Sequence, residues 1–112
     1  MATDQSFVDY IIDQISLAGE ISFRKMFGEY ALYCDGKVVA LICNNQLFVK
    51  QTEAGRALFL DKEIIEAPAY PSAKMSFLIE DYIDDGDWLT DLIRITSEAL
   101  PVPKPKNKNL QD

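Results

Sequence analysis

The sequence contains no histidine. That removes Ser-His-Asp and Cys-His nucleophile activation, histidine metal ligation and a histidine pH switch. Cysteine is sparse: Cys34 and Cys43 are too few for a disulfide framework of the secreted type. No Gly-rich phosphate loop, Cys-x-x-Cys pair or nucleophile elbow occurs. No apolar run approaches the ~18 residues of a membrane span. The opening MATDQSFVDY carries two acids and no base, unlike a secretory signal. The expectation is a reduced, cytoplasmic protein with no metal, no cofactor and no catalytic residues. Bases are also scarce. Eleven stand against eighteen acids, for a formal charge of -7, and such a surface repels phosphate.

What is present is one domain's worth of ordinary globular sequence: 112 residues, 48% hydrophobic and 26% charged. A chain of this size buries roughly two-thirds of its unfolded surface. Residues 4–17 read as a helix, because Phe7, Ile11 and Ile15 recur every four residues with Val8, Tyr10 and Ile12 widening the stripe. Thr3 or Asp4 is the candidate cap, and Gly19 the stop. Strands follow at 21–27, 30–34, 37–43 and 46–50. Gly28 breaks the first pair, as a bulge or turn glycine would. Asp35-Gly36 between two β-rich runs is a strong hairpin signal, and Asn44-Asn45 tolerates the left-handed backbone of a second turn.

A short helix is expected at 52–60, then a Pro- and Ala-rich loop at 61–73 with Tyr70-Pro71 extended. A last strand spans 74–80, with Met75, Phe77 and Ile79 on one face. Asp85 then caps a final helix that runs to Leu100 and ends at Pro101. The order α-β-β-β-β-α-β-α describes a two-layer α+β domain on an antiparallel sheet, residues 1–100, followed by a disordered Pro/Lys tail at 101–112.

Turn geometry predicts the register. A two-residue loop at Asp35-Gly36 sets Cys34 opposite Lys37, Leu32 opposite Val39 and Tyr30 opposite Leu41. The Asn44-Asn45 loop sets Leu41 opposite Phe48. One face would carry Tyr30, Leu32, Cys34, Val39, Leu41, Cys43 and Phe48; the other Ala31, Tyr33, Val38, Ala40, Ile42, Leu47 and Val49. Both are largely apolar, so both are expected to be covered: one by helices, the other by a further helix or a second subunit. The two cysteines would share a face at opposite ends of neighbouring strands, too far apart for a disulfide.

Three clusters bear on chemistry. Glu80, Asp81, Asp84, Asp85, Asp87 and Asp91 crowd twelve residues that hold no base. From Asp81 they mimic the start of an EF-hand loop. Ile83 at its third place and Leu92 at its twelfth break the pattern, which leaves a capped helix start on a solvated face. Glu29 reads as an exposed strand-end acid. Arg24 and Lys25, beside Phe23 and Phe27, could form a small basic, stacking patch. Phe23, Lys25 and Phe27 would then share one strand face, with Arg24 and Met26 on the other. Lys104, Lys106 and Lys108 give the tail a positive end.

The run Arg24-Lys25-Met26-Phe27-Gly28-Glu29-Tyr30-Ala31-Leu32-Tyr33-Cys34-Asp35-Gly36 resembles the signature R-K-M-F-G-x-Y-x-x-Y-x-D-G of the TfoX/Sxy N-terminal domain family. Ala40-Leu41-Ile42, Leu47 to Lys50, Tyr70-Pro71 and Met75-Ser76 are similar to its later elements, so the resemblance spans residues 7–100. It implies a fold similar to type III secretion chaperones. It also implies a role like that of bacterial competence regulators, which help switch on DNA-uptake genes alongside the cyclic-AMP receptor protein. Full-length regulators of this kind carry a second, helical domain, where Pro101 here opens a short tail. The family has no agreed catalytic residues to carry over.

The expected function is a non-enzymatic regulatory or protein-interaction module, a homodimer that acts on a protein partner such as transcription machinery. Its candidate interaction surface is Arg24, Lys25, Tyr30, Leu32, Val39 and Phe48. The alternatives are direct nucleic-acid binding through Arg24, Lys25 and the tail, or a small-ligand site beside Tyr70-Pro71.

Overall fold

Three two-residue turns shape most of this chain. In the computed structural model, which describes residues 3–102, Phe27-Gly28, Asp35-Gly36 and Asn44-Asn45 all have positive φ. That is the type I′ signature, whose twist matches the strands it joins. The turns connect β1 (Ile21–Met26), β2 (Glu29–Cys34), β3 (Lys37–Cys43) and β4 (Gln46–Val49) into a meander. Phe27 belongs to the first turn and is fully exposed, so it does not share a strand face with Phe23 and Lys25.

The sheet has six antiparallel strands in the order β1-β2-β3-β4-β6-β5. β6 (Met75–Ile79) pairs with β4, and β5 (Glu66–Pro68) pairs with β6 at the far edge. β5 falls inside the stretch expected to be loop. Its three residues end in proline, too short and too broken a run for alternation to register. The other predicted elements stand, within a few residues at their ends, as an α+β fold.

Among the described residues, three helices pack on one side. α1 (Gln5–Ile15) ends in a 3₁₀ turn at Ser16–Ala18; α2 spans Glu53–Ala57 and α3 Gly86–Ala99. Val8, Ile11 and Ile15 of α1, Leu89, Leu92 and Ile93 of α3, and Phe59 after α2 close one core with Leu32, Ile42, Leu47, Val49, Phe77 and Ile79 of the sheet. All are 2% exposed or less. Asp4 occupies the N-cap position of α1 without a side-chain cap. Thr3 Oγ1 instead donates to Glu29 and accepts from the Asn45 N–H.

Thr52 caps α2 through the Gly55 N–H at 2.9 Å, and Asp85 caps α3 through the Trp88 N–H. Gly55 is buried where α2 meets α3. A Cβ there would stand 2.9 Å from Thr52 Oγ1 and 3.3 Å from Leu92 Cδ1, so glycine permits the close approach. No helix among the described residues is long and apolar enough to cross a membrane. Of the expected tail, Pro101 and Val102 are exposed; residues 103–112, with all three tail lysines, lie outside the described residues.

Candidate interaction surface

A β-bulge in β3 decides which side chains face away from the helices. Cys34 pairs with Lys37 and Tyr33 with Val38, as the turn demands. The register then slips: Leu32 faces Ala40, Ala31 faces Leu41 and Tyr30 faces Ile42. Val39 is the extra residue. One inserted residue sends every later side chain of the strand to the opposite face. The expected pairings of Leu32 with Val39 and Tyr30 with Leu41 are therefore corrected. Ala40 and Ile42 enter the core at 0% exposure, while Leu41 and Cys43 turn to the side without helices. The cysteines consequently occupy opposite faces, and both are free thiols.

The six candidate surface residues do not form one patch. Tyr30, Leu32 and Val39 lie in the core under the helices at 2% exposure or less. The Tyr30 hydroxyl donates to Gln5 Oε1 at 2.8 Å. Phe48 is buried on the opposite face, outside that core. Arg24 and Lys25 are exposed neighbours on β1 and so alternate between faces. Lys25 extends over the Tyr30 ring, 5.9 Å from its centroid, on the helix side. Arg24 pairs with Ala31 on the other.

That other face carries one continuous cross-strand row: Arg24, Ala31, Leu41, Phe48 and Leu78 stand opposite one another from β1 to β6. No helix covers it. The loop 69–74 between β5 and β6 folds over part of it, where a further helix was one of the two covers expected. Tyr70 accepts from the Ala73 N–H at 2.9 Å to close a turn with Pro71 inside it, a favoured place for proline.

Between loop and sheet lies a cavity of about 850 Å³, with Val38, Leu41 and Phe48 on its floor and Ala73 and Lys74 on its lip. A second, of about 360 Å³, shares Leu41, Ala69 and Tyr70 with the first and extends to Met26, Phe27 and Cys43. Together they make a groove across the sheet. Tyr70 and Met75 at its lip are about half exposed, at 53% and 52%.

The titratable groups near the groove hold structural places. Burial pushes the Cys43 thiol above its ordinary range, and the Glu29 carboxylate adds to the effect; a thiol held protonated is a poor nucleophile. Glu29 accepts from Thr3 Oγ1 and from the Asn44 N–H, which ties the N-terminus to two turns.

The acids of 80–91 serve the scaffold as well. Asp85 caps α3, Asp91 pairs with Arg94, and Glu80 accepts from Gln46 Nε2 at 3.0 Å. Asp84 accepts from the Tyr10 hydroxyl, and that hydrogen bond raises the phenol's pKa. Among the described residues, no three of His, Cys, Asp and Glu group as a metal site. The groove was hidden from sequence reasoning because the bulge and the loop's path are tertiary facts. Its only advance signal was the apolar character of both sheet faces.

The architecture is an α+β domain with one sheet face closed by helices and the other bearing an open groove. The chain belongs to the TfoX N-terminal domain family, which matches residues 13–100. An uncharacterized 12.7 kDa protein in the trpE 5′ region of Spirochaeta aurantia is 42% identical over 106 residues, which span 95% of this chain and 90% of that relative.

Proposed function

We propose that this protein is a non-enzymatic, cytoplasmic regulatory module that works by binding another protein, in the manner of the competence-type transcription regulators its family includes. The observation that carries this reading is the helix-free sheet face, whose apolar row is only partly covered by a loop. An apolar patch rimmed with polar residues is what a protein partner covers. Cross-linking in the host cell, followed by mass spectrometry, tests it. Cross-links from the sheet face or its rim to transcription proteins support the reading. Absence of protein cross-links, together with thermal stabilisation by a metabolite, would overturn it.

We also propose self-association, favoured by a separate feature. β1 is a sheet edge six residues long, exposed from Ser22 onward, so its outer N–H and C=O groups lie open to a second strand. Pairing of β1 with its copy would extend the sheet and leave the groove free. Sedimentation at high micromolar concentration is expected to give a dimer; a monomer there would refute this. Direct nucleic-acid binding has weaker support, because Arg24 and Lys25 point to opposite faces and cannot grip one phosphate run together.

A further inference from the structure

We infer that the groove over Leu41 and Phe48 is a docking site for an acidic, amphipathic segment of a partner protein. This rests on the protein-interaction reading above and adds the place and the chemistry. Residues 101–112 hold three of the eleven bases and one of the eighteen acids, which leaves eight bases and seventeen acids, a charge of -9, on residues 1–100.

Five of those eight bases are engaged within the fold. Arg56 pairs with Glu66 and Arg94 with Asp91. Lys37 donates to the Ser97 carbonyl at 2.8 Å. Lys25 and Lys62 lie over aromatic rings. Arg24, Lys50 and Lys74 remain, with no side-chain hydrogen bond, ion pair or ring partner among the described residues. All three belong to the groove side. Lys50 and Lys74 line the larger cavity, and Arg24 ends the row that runs through Leu41 and Phe48.

The larger cavity has no carboxylate in its lining. The smaller has one, Glu29, already holding Thr3 and the Asn44 N–H. In a body of charge -9, an apolar floor rimmed by Lys50 and Lys74, with Arg24 farther along the same face, is where an acidic partner meets complementary potential.

Charge also selects against other occupants. A second copy docked groove to groove would bring Lys50, Lys74 and Arg24 against their own images. A nucleic acid would find two exposed rings, Phe27 and Tyr70, but few cations in a body of charge -9, where single strands need a denser positive track. A segment with apolar side chains for the floor and acids for the rim fits all three features. The four strands from β1 to β4 span about 15 Å, the length of roughly ten residues of helix.

The test selects peptides of about twelve residues from a random display library against the full-length chain. Each selected peptide is then titrated into the ¹⁵N-labelled protein. Acidic-apolar peptides are expected to be enriched, with shifts at Leu41, Phe48, Lys50 and Lys74 and affinity that falls with added salt. The exposed pair Lys50→Glu and Lys74→Glu is expected to weaken binding at least about tenfold while the circular dichroism stays native. The Gln double variant should fall between.

Selected peptides that are neutral or basic, shifts confined to β1 or the helices, or charge reversal without effect would overturn the inference and leave the protein-interaction reading intact. Equal competition by a single-stranded oligonucleotide of matched charge would overturn it in favour of nucleic acid. No selected peptide and no cross-linked partner would remove both readings.

Discussion

Trp88 donates its indole N–H to the carbonyl oxygen of Leu58 across 2.9 Å. The bond ties the first turn of α3 to the end of α2. The same ring meets Phe59 and Tyr82 edge-on at centroid distances of 5.1 and 5.5 Å. Trp88→Phe keeps much of the ring packing and removes the indole donor to that carbonyl. The expected loss is about 1–3 kcal/mol, the range for a part-buried hydrogen bond whose partner is left behind. Urea unfolding followed by circular dichroism measures it, since Trp88 is the only tryptophan.

The bulge makes a prediction about rank. Ile42 lies in the core and Leu41 on the groove floor. Ile42→Ala is expected to cost about 2–5 kcal/mol and Leu41→Ala only about 1. A straight register would place Leu41 in the core and reverse the order. Paired denaturation curves of the two variants decide between them.

Gly36 isolates backbone strain from crowding. Its φ is +83°, and a Cβ added there would meet no atom within 4 Å. Gly36→Ala should therefore cost about 1–2 kcal/mol purely from the left-handed backbone. Gly36→Asn should cost less, because asparagine tolerates that region. Thermal unfolding of the two variants checks the order.

The thiols should titrate late. Burial raises Cys34 above its ordinary range, only partly offset by a hydrogen bond involving Ser97. An acid whose pKa is raised on folding adds stability that is whole below the unfolded pKa and is lost as pH climbs through the folded value. The stability advantage of the natural chain over Cys34→Ala is thus expected to shrink as pH rises past the ordinary thiol value of 9.0. An advantage that grows with pH would contradict this.

Thiol labelling of the native protein offers a second reading of the same burial. Cys43 lines the smaller cavity and Cys34 is fully buried. Cys43 should react first, and a groove-bound peptide should slow it. Cys34 should react only on unfolding.

Much of the fold was legible because it rests on local chemistry. Asp35-Gly36 and Asn44-Asn45 announced their turns, Asp85 and Thr52 their helix starts, and the spacing of Val8, Ile11 and Ile15 the buried stripe of α1. The interaction surface was not legible. Tyr30, Leu32 and Val39 look like any exposed-capable strand residues until the helices close over them. Strand β5 gains its identity only from pairing with β6.

The sequence by itself determined the class of element at nearly every position, the acidic body, the want of histidine chemistry and the family. Each of these depends on residue type and near neighbours along the chain. The tertiary structure alone decided which apolar face stays open. One extra residue, Val39, reverses the facing of Ala40, Leu41 and Ile42, and two adjacent valines suit a straight strand and a bulged one equally well. Only the packing of α1 and α3 on one side, and the path of the loop 69–74 on the other, selects between them. Arg24, Lys50 and Lys74, without a side-chain partner among the described residues, share the groove side because the fold brings β1, the end of β4 and that loop to the same face.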